Sequence, residues 1–204
     1  MFRLKLFVPA LVLGLVGCSE APQPKKKEKK PPEPVTGLSA FYKIFPVAKQ
    51  WSVDIQPLRI ECMLLEEMKN QVGKCPAWRV TFASQSKGKK RTFTYSAIEV
   101  SATLHEGVFP QGEEGWSGPT AQAKPFLVAA LRTDTDAAHE TAAKEKKSQD
   151  YEKKNPGKPI IYECGLTDRH SDPVWRVIWG ESVSSSGYSV FVDASTGKIV
   201  ETMR

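Results

Sequence analysis

The sequence has few of the residues and motifs that enzymes use for catalysis. It has three histidines, and His139-Glu140 is not followed one turn later by the second histidine that a zinc-protease helix requires. It contains no Cys-x-x-Cys pair or Cys/His quartet for zinc. It also lacks a Gly-x-Ser-x-Gly nucleophile motif and a glycine-rich phosphate loop. We therefore expect a protein that is not an enzyme and that carries no metal or cofactor.

The chain also lacks an apolar run long enough to cross a bilayer. The run from Leu6 to Val16 is shorter than the roughly 20 residues that a membrane-spanning helix needs. It follows the basic residues Arg3 and Lys5 and ends at a small residue, an order typical of a secretory signal. The residues Leu15-Val16-Gly17-Cys18 resemble a bacterial lipobox, in which the signal is cut before a cysteine that carries lipid. Residues 1–17 are therefore predicted to be a lipoprotein signal peptide.

The resemblance to bacterial lipoproteins implies where the protein works. Cys18 would be the mature N-terminus and the lipidation site, and several acyl chains together make a stable membrane anchor. Ser19 follows Cys18, and in such proteins a residue other than Asp at this place implies the outer membrane. The expected location is the bacterial cell envelope, with the lipid in the outer membrane and the folded part facing the periplasm.

Residues 18–35 have no apolar periodicity and are rich in Pro, Lys and Glu. Such a segment cannot bury enough apolar surface to offset chain entropy, so it is predicted to be a disordered tether. Its lysine run either contacts anionic headgroups or, as we favour, keeps the linker soluble. The run consists of Lys25, Lys26, Lys27, Lys29 and Lys30.

The basic charge lies mostly near the N-terminus. The formal net charge is +6, of which Arg3 and Lys5 in the signal supply two charges. The tether, with five lysines against three glutamates, supplies two more, so the rest of the chain carries about +2. No Lys/Arg stripe with interleaved aromatic residues follows. Nucleic acid is therefore not an expected partner.

Three cysteines follow Cys18, and an oxidising envelope favours their pairing. Sixteen positions separate Cys62 from Trp78, whereas eleven separate Cys164 from Trp175. Cys75 falls in this extra loop, so a Cys62–Cys75 disulfide is favoured. A Cys62–Cys164 bridge and the absence of any bridge are the alternatives.

An internal repeat divides the remaining sequence into two related halves. Pro76–Phe82 is echoed by Pro173–Trp179, Ile60-Glu61-Cys62 by Tyr162-Glu163-Cys164, and Thr92–Tyr95 by Tyr188–Phe191. Three matches in the same order indicate a duplication with a period near 100 residues. We assign residues 36–105 to the first half, 106–133 to a connection and 134–204 to the second half.

Each half is predicted to consist of a helix followed by antiparallel strands. Helices are expected from Leu38 to Trp51, interrupted at Pro46, and from Ala137 to Lys154. The alternation of Trp78, Val80 and Phe82 with polar residues indicates a half-buried strand. The expected fold class is therefore α+β, with two related halves that each pack a helix on a small antiparallel β-sheet.

Residues 134–203 resemble a PepSY-type domain. The residues that carry the resemblance are Trp175-Arg176-Val177 and the segment Tyr188–Ile199, which contains an Asp-x-x-Thr-Gly-Lys turn from Asp193 to Lys198. The first half lacks this turn and matches less well. The resemblance implies extracytoplasmic binding and the inhibition or regulation of peptidases, and it supplies no catalytic residues.

Two candidate binding features remain. Trp116 lies in a turn-rich stretch between the halves, where it either presents a binding surface or, as we favour, fills the junction between them. The outer sheet edges offer a place for strand addition by a peptide. We expect a non-catalytic envelope lipoprotein that binds a protein, a peptide or an envelope component. The alternative is a structural or assembly scaffold of the cell envelope.

Overall fold

A computed structural model describes residues 31–204 of the chain. The predicted signal peptide, the lipidation site Cys18 and the tether as far as residue 30 lie outside these residues. Pro32–Arg204 forms one compact unit. Within residues 31–204, no helix combines the length and the apolar character needed to cross a membrane.

In each half, helical structure precedes four strands, and the fourth strand of the first half lies within residues 106–133, which were assigned from sequence to the connection. A short 3₁₀ turn (Val128–Ala130) stands in the connection between the halves. The elements are α1 (Gly37–Trp51), β1 (Gln56–Met63), β2 (Ala77–Ser84), β3 (Lys89–Ser96), β4 (Gly107–Gly115), α2 (Thr135–Ala143), α3 (Lys146–Lys154), β5 (Ile160–Gly165), β6 (Val174–Trp179), β7 (Tyr188–Asp193) and β8 (Ile199–Met203).

The prediction of two separate small sheets is wrong. All eight strands form a single antiparallel sheet in the order β4-β3-β2-β1-β5-β6-β7-β8. The halves join where β1 pairs with β5, with Ile60 opposite Cys164 and Glu61 opposite Glu163. In two separate sheets β1 and β5 would each leave an unpaired edge, and their pairing removes both. The fold is therefore α+β with one continuous sheet rather than one sheet for each half.

The register relates the two halves by an approximate two-fold axis at the β1–β5 pair. Cys62 faces Trp78 just as Cys164 faces Trp175. Val80 and Val177 are equivalent residues of the two halves, and Val80 faces Phe93 in the same way that Val177 faces Val190. Phe93 therefore corresponds to Val190. The sequence alignment of Thr92–Tyr95 with Tyr188–Phe191, which matched Phe93 to Ser189, is thus wrong by one residue.

The two repeated tryptophans each form a hydrogen bond with the backbone at the start of a helix. Trp78 Nε1 donates to the Val35 carbonyl at 3.0 Å, and Trp175 Nε1 donates to the Thr133 carbonyl at 2.7 Å. Each acceptor directly precedes the N-cap of a helix, Thr36 for α1 and Asp134 for α2. The two rings meet edge to face, with centroids 6.4 Å apart. The duplication therefore repeats this contact between an indole and a helix start.

The two helix starts also bind each other beside the tryptophans. The Gly37 amide donates to Thr135 Oγ1 and the Leu38 amide to Asp134 Oδ1, each at 2.9 Å. These bonds satisfy donors at the start of α1 that have no partner within the helix. A Cβ atom at Gly37 would lie 2.6 Å from Trp175 Cη2, so only glycine permits this approach. The halves are thus joined above the sheet as well as within it.

The helices differ in two ways from the sequence predictions. α1 runs through Pro46 to Trp51 as one helix, so the predicted interruption does not end it. The predicted second helix is instead two helices, because Glu145 caps α3 by accepting from the Ser148 amide at 2.8 Å. Tyr188 Oη donates to the same carboxylate at 2.9 Å, which holds the start of α3 against β7.

The core is a single apolar layer between the sheet and the helices. α1 contributes Leu38, Phe41, Ile44 and Ala48, whose spacing places them on one side of the helix. The strands contribute alternate residues of both halves, among them Trp78, Val80, Trp175, Val177 and Val190. One core serves both halves, as a single continuous sheet requires.

The structure contains the Cys62–Cys75 disulfide, and Cys164 is a buried free thiol. The bridge ties the end of β1 to the residues just before β2, and so closes the loop that the second half lacks. Val35, assigned from sequence to the end of the tether, pairs with Cys75 through backbone hydrogen bonds of 3.0 and 2.9 Å. The disulfide therefore also holds the chain segment that enters α1.

Candidate functional site

The helices cover one face of the sheet, and we call the other the open face. The open face consists of the alternate strand residues that point away from the core, such as Arg59, Glu61, Arg79, Glu163 and Arg176. A sheet with one solvated face normally carries polar residues there. Loops cover part of this face, where Ala77, Ile178 and Ser189 are buried, and leave the rest of it accessible.

One row of residues crosses the whole open face, with one residue from each strand. We call it the central row. Glu61 and Glu163 stand side by side at its middle, and each is flanked by the equivalent arginine of its own half. In strand order the row is Phe109, Thr94, Arg79, Glu61, Glu163, Arg176, Phe191 and Glu201.

Part of the central row, from Glu163 through Arg176 to Phe191, lies in a groove, which we call the Arg176 groove. Its floor is formed by Arg59, Glu61, Glu163, Arg176 and Phe191, and its volume is about 560 Å³. Residues 167–170 close one end and residues 182–184 close the other. These walls are the loops before and after β6. A groove of this size lies within the range of small-molecule sites in proteins.

Charge in the Arg176 groove is only partly paired. Arg59 Nε lies 3.2 Å from Glu163 Oε1, and the Glu163 side chain is 18% exposed. Burial raises the pKa of the Glu163 carboxyl above its ordinary value. Arg59 opposes this shift, whereas the neighbouring Glu61 adds to it. The middle of the open face therefore holds a carboxylate that is costly to keep ionised.

Arg176 has a different environment. Its Nε donates to Ser189 Oγ at 3.1 Å, and its Nη2 donates to Ser186 Oγ at 3.3 Å. Burial lowers the pKa of this guanidinium, an effect that Glu163 opposes. The guanidinium lies 5.2 Å from the centroid of the Phe191 ring, within the range of a cation–π contact. Arg176 is thus held in place by neutral groups.

Residues 169 and 170 make the wall near Phe191. Arg169 pairs with Glu201, and His170 Nε2 lies 3.3 Å from the same carboxylate. The His170 ring lies 5.4 Å from the Phe191 ring, centroid to centroid. Residues 168–172 lie in the loop between β5 and β6, and that loop supplies a wall of the groove.

Trp116 lies over the first half of the open face. It lines a second depression of about 430 Å³ together with Leu58, Thr81 and Lys90. This depression shares Arg59 and Glu61 with the Arg176 groove. The structure places Trp116 in this depression beside β1, whereas the halves themselves join through the pairing of β1 with β5. The half-buried ring is part of the surface beside the groove.

A further depression, lined by His139 and Tyr162, lies next to α2. The Gly73 amide donates to Tyr162 Oη at 2.9 Å, so the Tyr162 hydroxyl can donate to His139 Nδ1, also at 2.9 Å. Burial lowers the pKa of His139 and raises the pKa of Tyr162 to about 12, which keeps both groups neutral. His139 is therefore a half-buried structural residue.

The two edges of the sheet differ. β4 carries Pro110, and its Glu113 pairs with Lys89 at 2.7 Å, features that discourage a further strand. β8 is the more apolar edge, with Ile199 37% and Val200 47% exposed. Strand addition, expected from sequence at the outer edges, is thus easier to accommodate at β8 than at β4.

Comparisons of the chain with protein-family models, curated proteins and solved structures find no match. The function must therefore be inferred from the residues of this chain and their geometry. In residues 31–204, no three His, Cys, Asp or Glu side chains are grouped so as to hold a metal ion. What the open face offers is charge, hydrogen-bond donors and one aromatic ring.

Sequence reasoning missed the groove residues Glu163, Arg176 and Phe191. Glu163 and Arg176 belong to the repeated segments, but repetition alone does not reveal which residues share a face. Alternation along β5 and β6 places both opposite the core, which is the signal that could have found them. The loops that wall the groove carry no comparable pattern.

Proposed function

We propose that this chain is a non-catalytic binding lipoprotein of the bacterial cell envelope. In this proposal, lipid on Cys18 holds the protein in the outer membrane and the open face binds a protein, a peptide or another envelope component. The resemblance of residues 134–203 to PepSY-type domains makes peptidases a partner class of particular interest.

Two features support the envelope location. The sequence Leu15-Val16-Gly17-Cys18 ends a segment with the order of a secretory signal. The Cys62–Cys75 disulfide is a bond that persists in oxidising compartments and is rare in the cytosol. The first feature comes from sequence and the second from the fold, so they support the proposal independently.

The observation that carries the binding role is the open face itself. The helices and their core occupy only one face of the eight-stranded sheet. The opposite face holds two adjoining depressions and a half-buried row of charges. Half-buried charges cost desolvation energy, and a partner that completes their hydrogen bonds offsets that cost.

Site-specific photo-cross-linking of the full chain in its native cells tests this role. A photo-reactive residue at position 79 would sit in the exposed part of the central row. The matched control places the same residue at Tyr42 on α1, where the side chain is 53% exposed. We expect a discrete cross-linked complex from position 79 and none from position 42.

The opposite outcomes separate the alternatives. Complexes of similar yield from both positions would favour the scaffold role, in which several surfaces engage neighbours. The absence of any complex from position 79, with the lipidated protein present at its normal level, would contradict binding by the open face.

A further inference from the structure

The Arg176 groove brings three guanidinium groups together. Three arginines (Arg59, Arg169 and Arg176) and two glutamates (Glu61 and Glu163) line it, and a third carboxylate, that of Glu201, lies against Arg169. Two of the arginines already have carboxylate partners, since Arg59 pairs with Glu163 and Arg169 with Glu201. Among residues 31–204, no carboxylate oxygen lies within 4.0 Å of Arg176.

Arg176 is therefore the free cation of the groove within the described chain. A guanidinium has five N–H donors, and its planar fork matches the two oxygens of a carboxylate. The serine hydroxyls accept from Nε and Nη2, and Met203 Sδ lies 3.9 Å from Nη2. Nη1 has no acceptor among these contacts. The side chain is thus fixed by neutral groups while part of its fork remains available.

Apolar groups lie beside this cation. Val183 projects from the loop after β6 with 43% of its surface exposed, and Phe191 and Val174 form buried parts of the lining. The guanidinium groups of Arg169 and Arg176 lie 5.7 and 5.2 Å from the centroid of the Phe191 ring and cover most of it, so Val183 supplies the exposed apolar surface. A ligand that suits the groove therefore carries both an anionic group and an apolar part.

The geometry points to a monocarboxylate with an apolar body as the ligand of the Arg176 groove, its carboxylate paired with the Arg176 guanidinium. A single guanidinium without a carboxylate partner, with the Glu61 carboxylate in the same lining, matches a monocarboxylate better than a phosphate, which carries about −1.5 to −2 at pH 7. The inference rests on the proposed function, because it takes the open face as the binding surface. It adds the chemical class of the ligand.

A carboxylate of this kind comes either from a free organic acid or from the C-terminus of a peptide. N-acetyl-leucine represents the first source and the tripeptide acetyl-Ala-Ala-Leu the second. Equal affinity for both would indicate that the free acid suffices, whereas tighter binding of the tripeptide would assign the groove to peptide C-termini. Both probes place a carboxylate next to a leucine side chain.

Isothermal titration calorimetry of the full chain with these probes tests the inference. We expect the C-terminal amide of the tripeptide to bind at least about tenfold more weakly than the acid, because it removes a charge-assisted hydrogen-bond pair. Arg176→Gln should weaken binding of the acid by a similar factor. Arg132→Gln, at an exposed arginine that lines neither depression of the open face, should change it less than about twofold, since surface charges away from a site contribute little.

An NMR measurement on the unmodified protein provides a test that does not depend on whether the variant folds. The Arg176 Nε–H resonance should shift on addition of the acid and not on addition of the amide. Equal binding of acid and amide, tighter binding of inorganic phosphate than of either acid, or no binding of any probe would each overturn the inference. If no probe binds but position 79 still forms a cross-linked complex, only the assignment of the ligand class is contradicted. If the acid binds but no cross-linked complex forms, the proposal of a protein partner is contradicted instead.

Discussion

Replacing Trp175 by alanine is expected to lower the free energy of unfolding by about 3 to 5 kcal/mol. The indole is fully buried in the core, and its Nε1 donates to the Thr133 carbonyl at 2.7 Å. Alanine leaves a cavity beside Trp78 and deprives that carbonyl of its donor at the start of α2. Urea unfolding followed by far-UV circular dichroism measures the loss.

Trp116→Ala is the matched control for this prediction. It removes the same side chain from a half-buried position on the open face, so it should cost only about 1 kcal/mol. Trp175→Phe keeps an aromatic ring in the core but removes the donor and part of the ring system, so its cost should fall between the two. Similar costs for Trp116→Ala and Trp175→Ala would contradict the assignment of Trp175 to the shared core.

Loss of the Cys62–Cys75 disulfide is expected to destabilise the protein by about 3 kcal/mol. The bridge closes a short loop, since its cysteines have a sequence separation of 13, and it holds Val35 at the entrance to α1. The double variant Cys62→Ser, Cys75→Ser should show this loss in urea unfolding. The reduced native protein should show a loss of similar size.

Cys164→Ala provides the control, because Cys164 occupies the equivalent position in the second half but forms no bridge. Its unfolding should respond to a reducing agent as strongly as that of the unmodified protein. If reduction left the stability of the Cys164→Ala variant unchanged, the pairing of Cys62 with Cys75 would be wrong.

Local structure was predictable from the sequence because local chemistry determines it. The Asp193 turn is one example: its carboxylate accepts from the Ser195 and Thr196 amides at 2.9 and 2.7 Å, and Gly197 adopts a φ of 72°. The alternation of Trp78, Val80 and Phe82 likewise indicated a strand with one buried side. The loop lengths around Cys62 and Cys164 favoured the bridge that the structure contains.

The union of the halves was not predictable in this way. Whether β1 and β5 pair depends on contacts between residues about 100 positions apart, and no turn or spacing near either strand signals it. The same limit applies to the Arg176 groove, because its walls come from loops whose position over the open face depends on the assembled sheet. Side-chain alternation shows on which face of the sheet a residue lies, but it does not show which helices or loops cover that face.

Hydrogen exchange of the backbone amides in β1 and β5 tests the single continuous sheet most directly. These strands lie at its centre, so their paired amides should exchange only through near-global unfolding, as slowly as those of β2 and β6. The edge strands β4 and β8 serve as internal references and should exchange faster. If β1 and β5 exchanged as fast as these edges, the halves would be two separate sheets, and the shared open face would not exist.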